Sequence, residues 1–195
     1  MASLAPALLV SMPQLADPNF TRTVVLLCKH SEEGGAFGLV LNRPLVTTGR
    51  FVVQIDSAQE SGAGGPDLMT AEHDLQVWVG GPVEHERSWM LVASDAVAHD
   101  ESLGVRIADG LYLSTSPALL QRLLAPSPPS RARLVMGYAG WGPGQLEAEL
   151  HESAWLLSDI DANLIFGTPA DHMWEAAIRR MGADPAALHC SRGVH

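Results

Sequence analysis

The feature that most constrains the fold is a series of short apolar runs that are separated by glycine-containing turns. The runs at 23–28 and 37–41 are rich in β-branched and aliphatic residues, and they predict two buried strands joined by a hairpin-like loop. The runs at 75–79 and 89–92 predict a similar strand pair, linked through a loop at 80–83. Runs of this length are typical of strands, so much of the chain is expected to form β-sheet.

Asp109-Gly110 is the strongest hairpin signal, because a type I′ turn requires positive φ at both central residues. It joins a third strand pair within 105–113. The later pattern predicts a helix at 116–124, a strand at 133–138, a short helix at 145–152, a strand at 155–157 and a final helix that Thr168-Pro169 caps and Gly182 closes. Paired strands with few, late helices favour an α+β fold, a single compact domain over 1–195 with a largely antiparallel or mixed sheet and flanking helices.

Two segments lack a sustained hydrophobic period. Residues 49–74 contain a glycine-rich stretch, and we expect a mobile loop there with one short element at 51–55. The tail at 184–195 is expected to be ordered only in part.

Charge and cysteine usage narrow the classes of function. The chain carries 22 acidic and 12 basic residues, a formal net charge of −10. Such a surface opposes the counterion release that drives nucleic-acid binding, so direct binding to nucleic acid is not expected. Cys28 and Cys190 lie far apart, which favours reduced thiols in the cytoplasm over a disulfide framework. No basic n-region precedes Arg22, and no apolar run reaches the ~18–20 residues that span a bilayer, so we expect a cytoplasmic protein with no membrane segment.

Four sequence blocks carry a resemblance to a known family. They are Leu9-Val-Ser-Met-Pro13 with Asp17-Pro-Asn-Phe20 and Arg22-Thr-Val-Val25, then Gly38-Leu-Val-Leu-Asn-Arg-Pro44, Gly80-Gly-Pro-Val83, and Gly137-Tyr-Ala-Gly-Trp-Gly-Pro-Gly-Gln-Leu-Glu147. In order and spacing, the chain resembles the YqgE/AlgH family as far as about Gly182. The resemblance implies a compact α+β fold with coiled, bulged sheets in a bacterial cytoplasmic protein. The family is often described as transcriptional regulators, without an established activity. Between Leu45 and Asp74 the chain departs from the family pattern, which has a short leucine-rich amphipathic helix there.

The Gly140–Gly144 segment has the outward layout of a dinucleotide-binding fingerprint, because it follows a predicted strand and precedes a predicted helix, with Asp159 further on. The third glycine of that fingerprint is replaced by Gln145, and Pro143 lacks an amide that a phosphate would need. We therefore expect no cofactor, and interpret the segment as a tight turn across which Trp141 packs.

Acidic and histidine side chains offer two potential metal ligands on one helix face, Glu147 and His151, at i, i+4 spacing. Two ligands do not complete a site, and the 84–87 segment supplies further candidates that the sequence alone does not bring near. The alternative is that Glu147, Glu149 and their neighbours form a solvated acidic face. No metal is expected.

Arg22 and Arg43 are candidates for binding an anion, because two guanidinium groups beside Asn42 would make a fork for a carboxylate or phosphate. Each arginine could equally pair with Asp17 or Glu147. The segment at 17–20 is expected to form a capped turn.

The leading hypothesis is a noncatalytic regulatory or interaction protein that binds an unknown protein partner or a small anionic ligand in a cleft. The candidate cleft comprises Arg22, Asn42, Arg43, Gly80, Gly81, Trp141, Gly142 and Gln145. No GxSxG, HExxH, P-loop or CxxC motif occurs, so no residue is assigned a catalytic role. One alternative is an enzyme for a small phosphorylated or carboxylated substrate, with His85 or His151 as proton carrier. Another is a transcriptional regulator that acts through protein partners, since no helix-turn-helix, basic stripe or zinc finger is evident.

Overall fold

The computed structural model describes residues 3–47, 50–55, 67–72, 74–96 and 104–190, and these contain twelve β-strands and five α-helices. The strands are β1 (Ala7–Ser11), β2 (Val24–Ser31), β3 (Gly35–Val40), β4 (Pro44–Thr47), β5 (Phe51–Ile55), β6 (Asp67–Ala71), β7 (Leu75–Val79), β8 (Val83–Ala93), β9 (Val105–Ala108), β10 (Leu111–Ser114), β11 (Ala132–Trp141) and β12 (Trp155–Ser158). The helices are α1 (Pro117–Leu123), α2 (Gln145–His151), α3 (Ala162–Gly167), α4 (Ala170–Arg180) and α5 (Pro185–Cys190). The predicted α+β class, with a largely antiparallel sheet and a few helices, is confirmed.

The chain divides into two units, each with its own dense set of internal contacts. The first unit comprises Met1–Arg43, Gly80–Val83 and Tyr138–His195, and the second comprises Pro44–Val79 and Glu84–Gly137. That 1–195 forms a single domain stays a prediction.

The first unit is built on a five-stranded sheet in the order β12-β1-β2-β3-β11, in which every neighbouring pair is antiparallel. The predicted hairpin of β2 and β3 is confirmed, whereas β1, which lies between β12 and β2, was not predicted. Helix α4 packs on β1 and β2 through its apolar face, and the indole of Trp174 donates a hydrogen bond to the Ser11 carbonyl oxygen at 2.8 Å. The sequence predicts one apolar helix face from Met173, Trp174, Ala177, Ile178 and Met181; the first four are buried as predicted, whereas Met181, at the C-cap, is only half-buried.

The second unit holds strands in the order β4-β7-β11-β8-β10-β9 and a separate two-stranded sheet of β5 and β6. Strand β7 pairs with β4 and, in parallel, with β11, while β8 pairs with β10. The predicted pairing of 75–79 with 89–92 is therefore wrong, although both segments are strands. Helix α1 closes the core of this unit with Leu119, Leu120 and Leu123, as its spacing predicted.

The predicted hairpin at Asp109-Gly110 is confirmed, since β9 and β10 are antiparallel around it. Its turn type is not as predicted. Only Gly110 of the two residues has a positive φ, at 71°, and the register shifts between Leu111 and Tyr112. The turn is therefore accompanied by a bulge beside Gly110 and is not a type I′ turn, which would need a second residue with positive φ.

The interpretation of 49–74 as a loop is wrong in part. The expected short element at 51–55 is β5, but it pairs with a second strand, β6, at 67–71. Residues 56–66 lie outside the described part of the chain. Within the predicted tail, 185–190 form α5, so α4 is not the final helix, and 191–195 also lie outside the described residues. Helix α3 was not predicted.

Among the described residues, no helix is both long enough and apolar enough to cross a membrane.

Candidate functional site

A turn at 17–23 in the first unit is the point at which several of the sequence blocks meet. The Asp17 carboxylate accepts hydrogen bonds from the Asn19 amide at 2.8 Å and from the Asn19 side chain at 3.0 Å. The amides of Phe20 and Thr21 donate to the Asp17 carbonyl oxygen, both at 2.9 Å. The expected capped turn is confirmed, and its polar groups are used to shape the backbone.

Asn42 holds the end of this turn. Its side-chain oxygen accepts from the Val24 amide at 3.0 Å, and its side-chain nitrogen donates to the Arg22 carbonyl oxygen at 2.9 Å. Asn42 is buried, and Arg22 has a φ of 53°, a left-handed conformation that is unfavourable for a residue with a Cβ. The two bonds from Asn42 compensate that cost and fix where the Arg22 side chain leaves the backbone.

Arg22 and Arg43 both lie beside the turn, but they contact different groups. A guanidinium nitrogen of Arg22 lies 2.8 Å from Glu175 on α4, and the guanidinium carbon lies 4.8 Å from the centre of the Trp174 ring. Arg43 donates to the carbonyl oxygen of Thr21. The ion-pair partner of Arg22 is thus Glu175 rather than either predicted acid.

Glu175 is shared between two arginines. Its second oxygen lies 2.9 Å from a guanidinium nitrogen of Arg179, one helical turn on. The hydrogen bonds from Arg179 and Arg22 hold the pKa of the Glu175 carboxyl below its ordinary value. Glu175 therefore stays charged at neutral pH and anchors both guanidinium groups.

Aromatic side chains connect the 17–23 turn to the end of β11 and the start of β12. The Phe20 ring stacks against Trp141 with centroids 6.2 Å apart, and its edge contacts Trp155 at 5.5 Å. The two tryptophan rings meet edge to face at 6.0 Å. Both tryptophans are buried, so each indole N–H needs a partner within the protein.

Glu149 on α2 provides that partner. One carboxylate oxygen accepts from the indole of Trp141 at 2.9 Å and from the indole of Trp155 at 2.7 Å. The other accepts from the Gln145 side chain at 2.8 Å, and the Gln145 oxygen accepts from the Gly142 amide at 3.0 Å. This set of bonds closes the turn between β11 and α2, so the interpretation of Glu149 as part of a solvated acidic face is wrong.

Glu147 is also engaged, with a residue that the sequence did not single out. The buried imidazole of His30 places Nε2 at 2.8 Å from Glu147 Oε1, while Nδ1 lies 3.1 Å from the Leu4 amide. An amide can donate only to an unprotonated nitrogen, so the proton lies on Nε2 and is donated to Glu147. Hydrogen bonds from its own backbone amide and from His30 lower the pKa of Glu147.

The glycine pair at 80–81 has a steric role. The Gly80 carbonyl oxygen accepts from the Val40 amide at 2.7 Å. Gly81 has a φ of 153°, and a Cβ there would lie 2.3 Å from the carbonyl group of Tyr138. Because that contact is with backbone, the loop can lie against β11 only with glycine at this position.

Comparison with known proteins places the chain in a family. A family model described as AlgH-like matches residues 8–186. The chain belongs to the AlgH-like family. A UPF0301 protein of Ruegeria pomeroyi is 37% identical over 193 residues, which cover 97% of this chain and 98% of the relative. A UPF0301 protein of Stenotrophomonas maltophilia is 41% identical over 186 residues, covering 93% and 91%.

Solved structures agree with this placement. The solution structure of the AlgH protein from Pseudomonas aeruginosa matches with a TM-score of 0.64 at 30% identity, over 100% of this chain and 96% of that one. A crystal structure from Corynebacterium diphtheriae, at 21% identity, shares the fold with a TM-score of 0.61 over 100% of this chain and 93% of that one.

All eight residues of the candidate cleft belong to the first unit of this AlgH-like chain. They fall into three groups: Arg22, Asn42 and Arg43 around the 17–23 turn, Gly80 and Gly81 against Tyr138, and Trp141, Gly142 and Gln145 in the bonds around Glu149. The Phe20 ring links the first group to the third. The two histidines proposed as proton carriers are exposed, His151 in the first unit and His85 in the second.

The geometry around 140–144 differs from a dinucleotide site. A dinucleotide fingerprint lies between a strand and a helix that crosses to a parallel strand. Here β11 pairs antiparallel with β3, α2 has only seven residues, and β12 pairs antiparallel with β1. Among the described residues, no group of three or more His, Cys, Asp or Glu side chains is arranged to hold a metal ion.

Proposed function

We propose that this protein is a noncatalytic interaction protein of the bacterial cytoplasm, which binds a carboxylate or phosphate group of a small ligand or partner protein at Arg22 and Arg43, the two arginines of the candidate cleft. The observation that carries the proposal is the state of Arg22. Its side chain is 44% exposed, yet it is held by Glu175 and lies over the Trp174 ring. An exposed guanidinium that is already fixed in place suits recognition of an anion.

Preorganisation of Arg22 reduces the cost of binding. A free arginine loses side-chain entropy when it is immobilised against a ligand. Here the backbone of Arg22 is fixed by Asn42, and the head group is fixed by Glu175. A guanidinium carries five N–H donors, so the donors that Glu175 does not accept from can form hydrogen bonds with a ligand.

The local charge also favours an anion. Arg22 and Arg179 share the carboxylate of Glu175, and Arg43 donates to the Thr21 carbonyl oxygen in the adjoining turn, whereas the chain as a whole has a formal charge of −10. A positive surface on an acidic protein attracts negatively charged groups while the rest of the surface repels them. We call Arg22, Arg43 and Arg179 the arginine patch.

The hydrogen bonds that Gln145, Glu147 and Glu149 of α2 make within the protein support a noncatalytic role. Among the described contacts, Gln145 and Glu149 bond to each other, to Gly142 and to the two indoles, and Glu147 bonds to His30. Proton transfer to a substrate needs an acid or base within hydrogen-bonding reach of it. The most distinctive sequence block of the chain instead uses these groups to support its own turn.

The experiment is thermal unfolding with a panel of nucleotides, organic acids and duplex DNA, repeated on Arg22→Ala and Arg43→Ala. A ligand at a hundred times its dissociation constant stabilises by about 2.7 kcal/mol, a shift of roughly 5–10 °C for this size. The proposal predicts a shift with anionic ligands that both variants lose. Arg106→Ala is the matched control, because Arg106 is an exposed arginine paired only locally with Asp109.

Two results contradict the proposal. If the ligand-induced shift in melting temperature survives in both Arg22→Ala and Arg43→Ala, the arginine patch does not bind the ligand. A steep salt-dependent affinity for duplex DNA would restore the direct DNA binding that the charge argues against. If no member of the panel shifts the melting temperature, the protein does not bind a small ligand of these classes. Binding of a partner protein is then tested by comparing pull-downs with wild type and with Arg22→Ala.

A further inference from the structure

The second unit contains a cavity of about 430 Å³ that no sequence block marks. Its lining includes Asp95, Arg122, Ser127, Ser130 and Arg131. They come from the turn after β8, the end of α1, the loop that follows α1 and the residue before β11. Cavities of roughly 300–1,000 Å³ are those in which proteins bind small molecules.

The walls of this cavity are fixed by hydrogen bonds between its segments. The Ala93 amide donates to the Arg131 carbonyl oxygen at 2.9 Å, which joins the end of β8 to the start of β11. Arg122 donates from its guanidinium to the Ala96 carbonyl oxygen at 3.1 Å, which ties α1 to the turn after β8. Three prolines at 126, 128 and 129 restrict the loop between α1 and β11. These contacts hold the backbone segments that carry the lining residues in place relative to one another.

The polar groups on these walls define the chemistry of a ligand. Arg122 and Arg131 bring two positive charges, and Asp95 lies 3.2 Å from Arg131 and offsets one of them. Guanidinium groups match phosphate in geometry and can donate two parallel hydrogen bonds. The Asp95 carboxylate can only accept hydrogen bonds, so it selects hydroxyl or amine donors on a ligand. The Ser127 and Ser130 hydroxyls can donate or accept hydrogen bonds.

We propose that this cavity is a binding site for a small phosphorylated polyol, with the phosphate at Arg122 and Arg131 and the hydroxyl groups at Asp95 and the serines. The site is independent of the arginine patch, since its residues all belong to the second unit. The presence of both a guanidinium pair and an acceptor-only carboxylate distinguishes this ligand class from inorganic phosphate and from an uncharged sugar.

The test is isothermal titration of the full chain with glucose 6-phosphate, inorganic phosphate and glucose. We expect saturable binding of glucose 6-phosphate, at least about tenfold weaker binding of inorganic phosphate, and no binding of glucose. Arg122→Ala should weaken glucose 6-phosphate binding by about tenfold or more, whereas the control Arg106→Ala should leave it unchanged. Asp95→Asn should weaken the binding of glucose 6-phosphate but not the binding of inorganic phosphate.

Arg122 is exposed on α1, so its replacement should leave the fold intact, which circular dichroism and the unfolding midpoint check. If Arg122→Ala does not fold, Arg122→Gln replaces it, with the same expected loss of binding. Equal affinities for inorganic phosphate and glucose 6-phosphate would overturn the proposal. So would the absence of saturable binding, or binding that Arg22→Ala abolishes and Arg122→Ala does not.

Discussion

The hydrogen-bonded polar side chains of the two units surround different features, which are buried aromatic rings and a backbone turn in the first unit and a cavity in the second. In the first unit, the polar residues of the sequence blocks bond to one another, as Glu149 does to two indoles and Asn42 does to the 17–23 turn. In the second unit, Arg122, Arg131 and Asp95 lie outside every block and face a cavity. Polar residues of the sequence blocks such as Asn42 and Gln145 therefore form a hydrogen-bonded framework, and binding chemistry is to be sought in exposed groups such as Arg22 or in groups that line a cavity.

The largest expected effect is that of Glu149→Ala, because it leaves two buried indole N–H groups and the Gln145 amide without their acceptor. We expect the free energy of unfolding to fall by about 4 kcal/mol, measured by urea denaturation. Glu149→Gln keeps an acceptor and should cost about 1 kcal/mol. Glu152→Ala is the control, since Glu152 is exposed at the end of the same helix. Equal losses in the free energy of unfolding for Glu149→Ala and Glu152→Ala would show that the hydrogen bonds to Glu149 do not stabilise the first unit.

Gly81→Ala should come next. The added Cβ would lie 2.3 Å from the Tyr138 backbone at a φ of 153°, and we expect a loss of about 3 kcal/mol in the free energy of unfolding. Gly144→Ala is a matched control, because Gly144 has a φ of 72° but nothing within 4 Å of its added Cβ. That variant should lose only about 1 kcal/mol, from backbone strain alone. If both variants lose the same amount, crowding against β11 is not what requires Gly81.

A smaller effect is expected in the pH dependence of stability. The folded pKa of Glu147 is lowered, so the unfolded state binds a proton first as pH falls. The stability that Glu147 contributes is therefore present at neutral pH and is lost as pH falls through the ordinary glutamate range and below. Urea unfolding of wild type and Glu147→Gln between pH 7 and pH 3 should show a difference that shrinks on acidification. A difference that grows on acidification would contradict the His30 assignment.

The smallest expected signal concerns Cys28 on β2. Cys28 is partly buried, and burial raises the pKa of its thiol to about 12, so the thiol is almost entirely protonated at pH 8. In a Cys190→Ser background, alkylation of the native protein by iodoacetamide should be far slower than alkylation in urea. Rapid alkylation of the native protein would show that the Cys28 thiol is more accessible to the reagent than its position on β2 indicates.

Local elements could be predicted where a sequence period was clear. The β2–β3 hairpin and the buried face of α4 follow from apolar runs and helical spacing, and both are confirmed. Strand β1 was missed because its apolar run is short and lies between Pro6 and Pro13. The pairing of β7 was predicted wrongly because its parallel partner β11 lies more than fifty residues further along the chain, and long-range pairing leaves no local signal.

The candidate site was predictable as a set of residues but not as a set of contacts. The turn residues at 17–20 made the local bonds expected of them. The partner of Arg22 was predicted among nearby or motif acids, whereas Glu175 lies on a helix 153 positions away. His30 and Glu147 are separated by 117 positions, and neither stands in a pattern that points to the other.

The separation of framework from binding is tested by the ligand-induced shift in melting temperature, measured side by side on wild type, Arg22→Ala and Glu149→Gln. We expect Glu149→Gln to melt at a lower temperature than wild type without ligand but to keep the shift that an anionic ligand causes. Arg22→Ala should melt close to wild type, because a partly exposed ion pair contributes only ~0–1 kcal/mol, and should lose the shift. A shift that survives in Arg22→Ala but is lost in Glu149→Gln would contradict the separation of framework from binding.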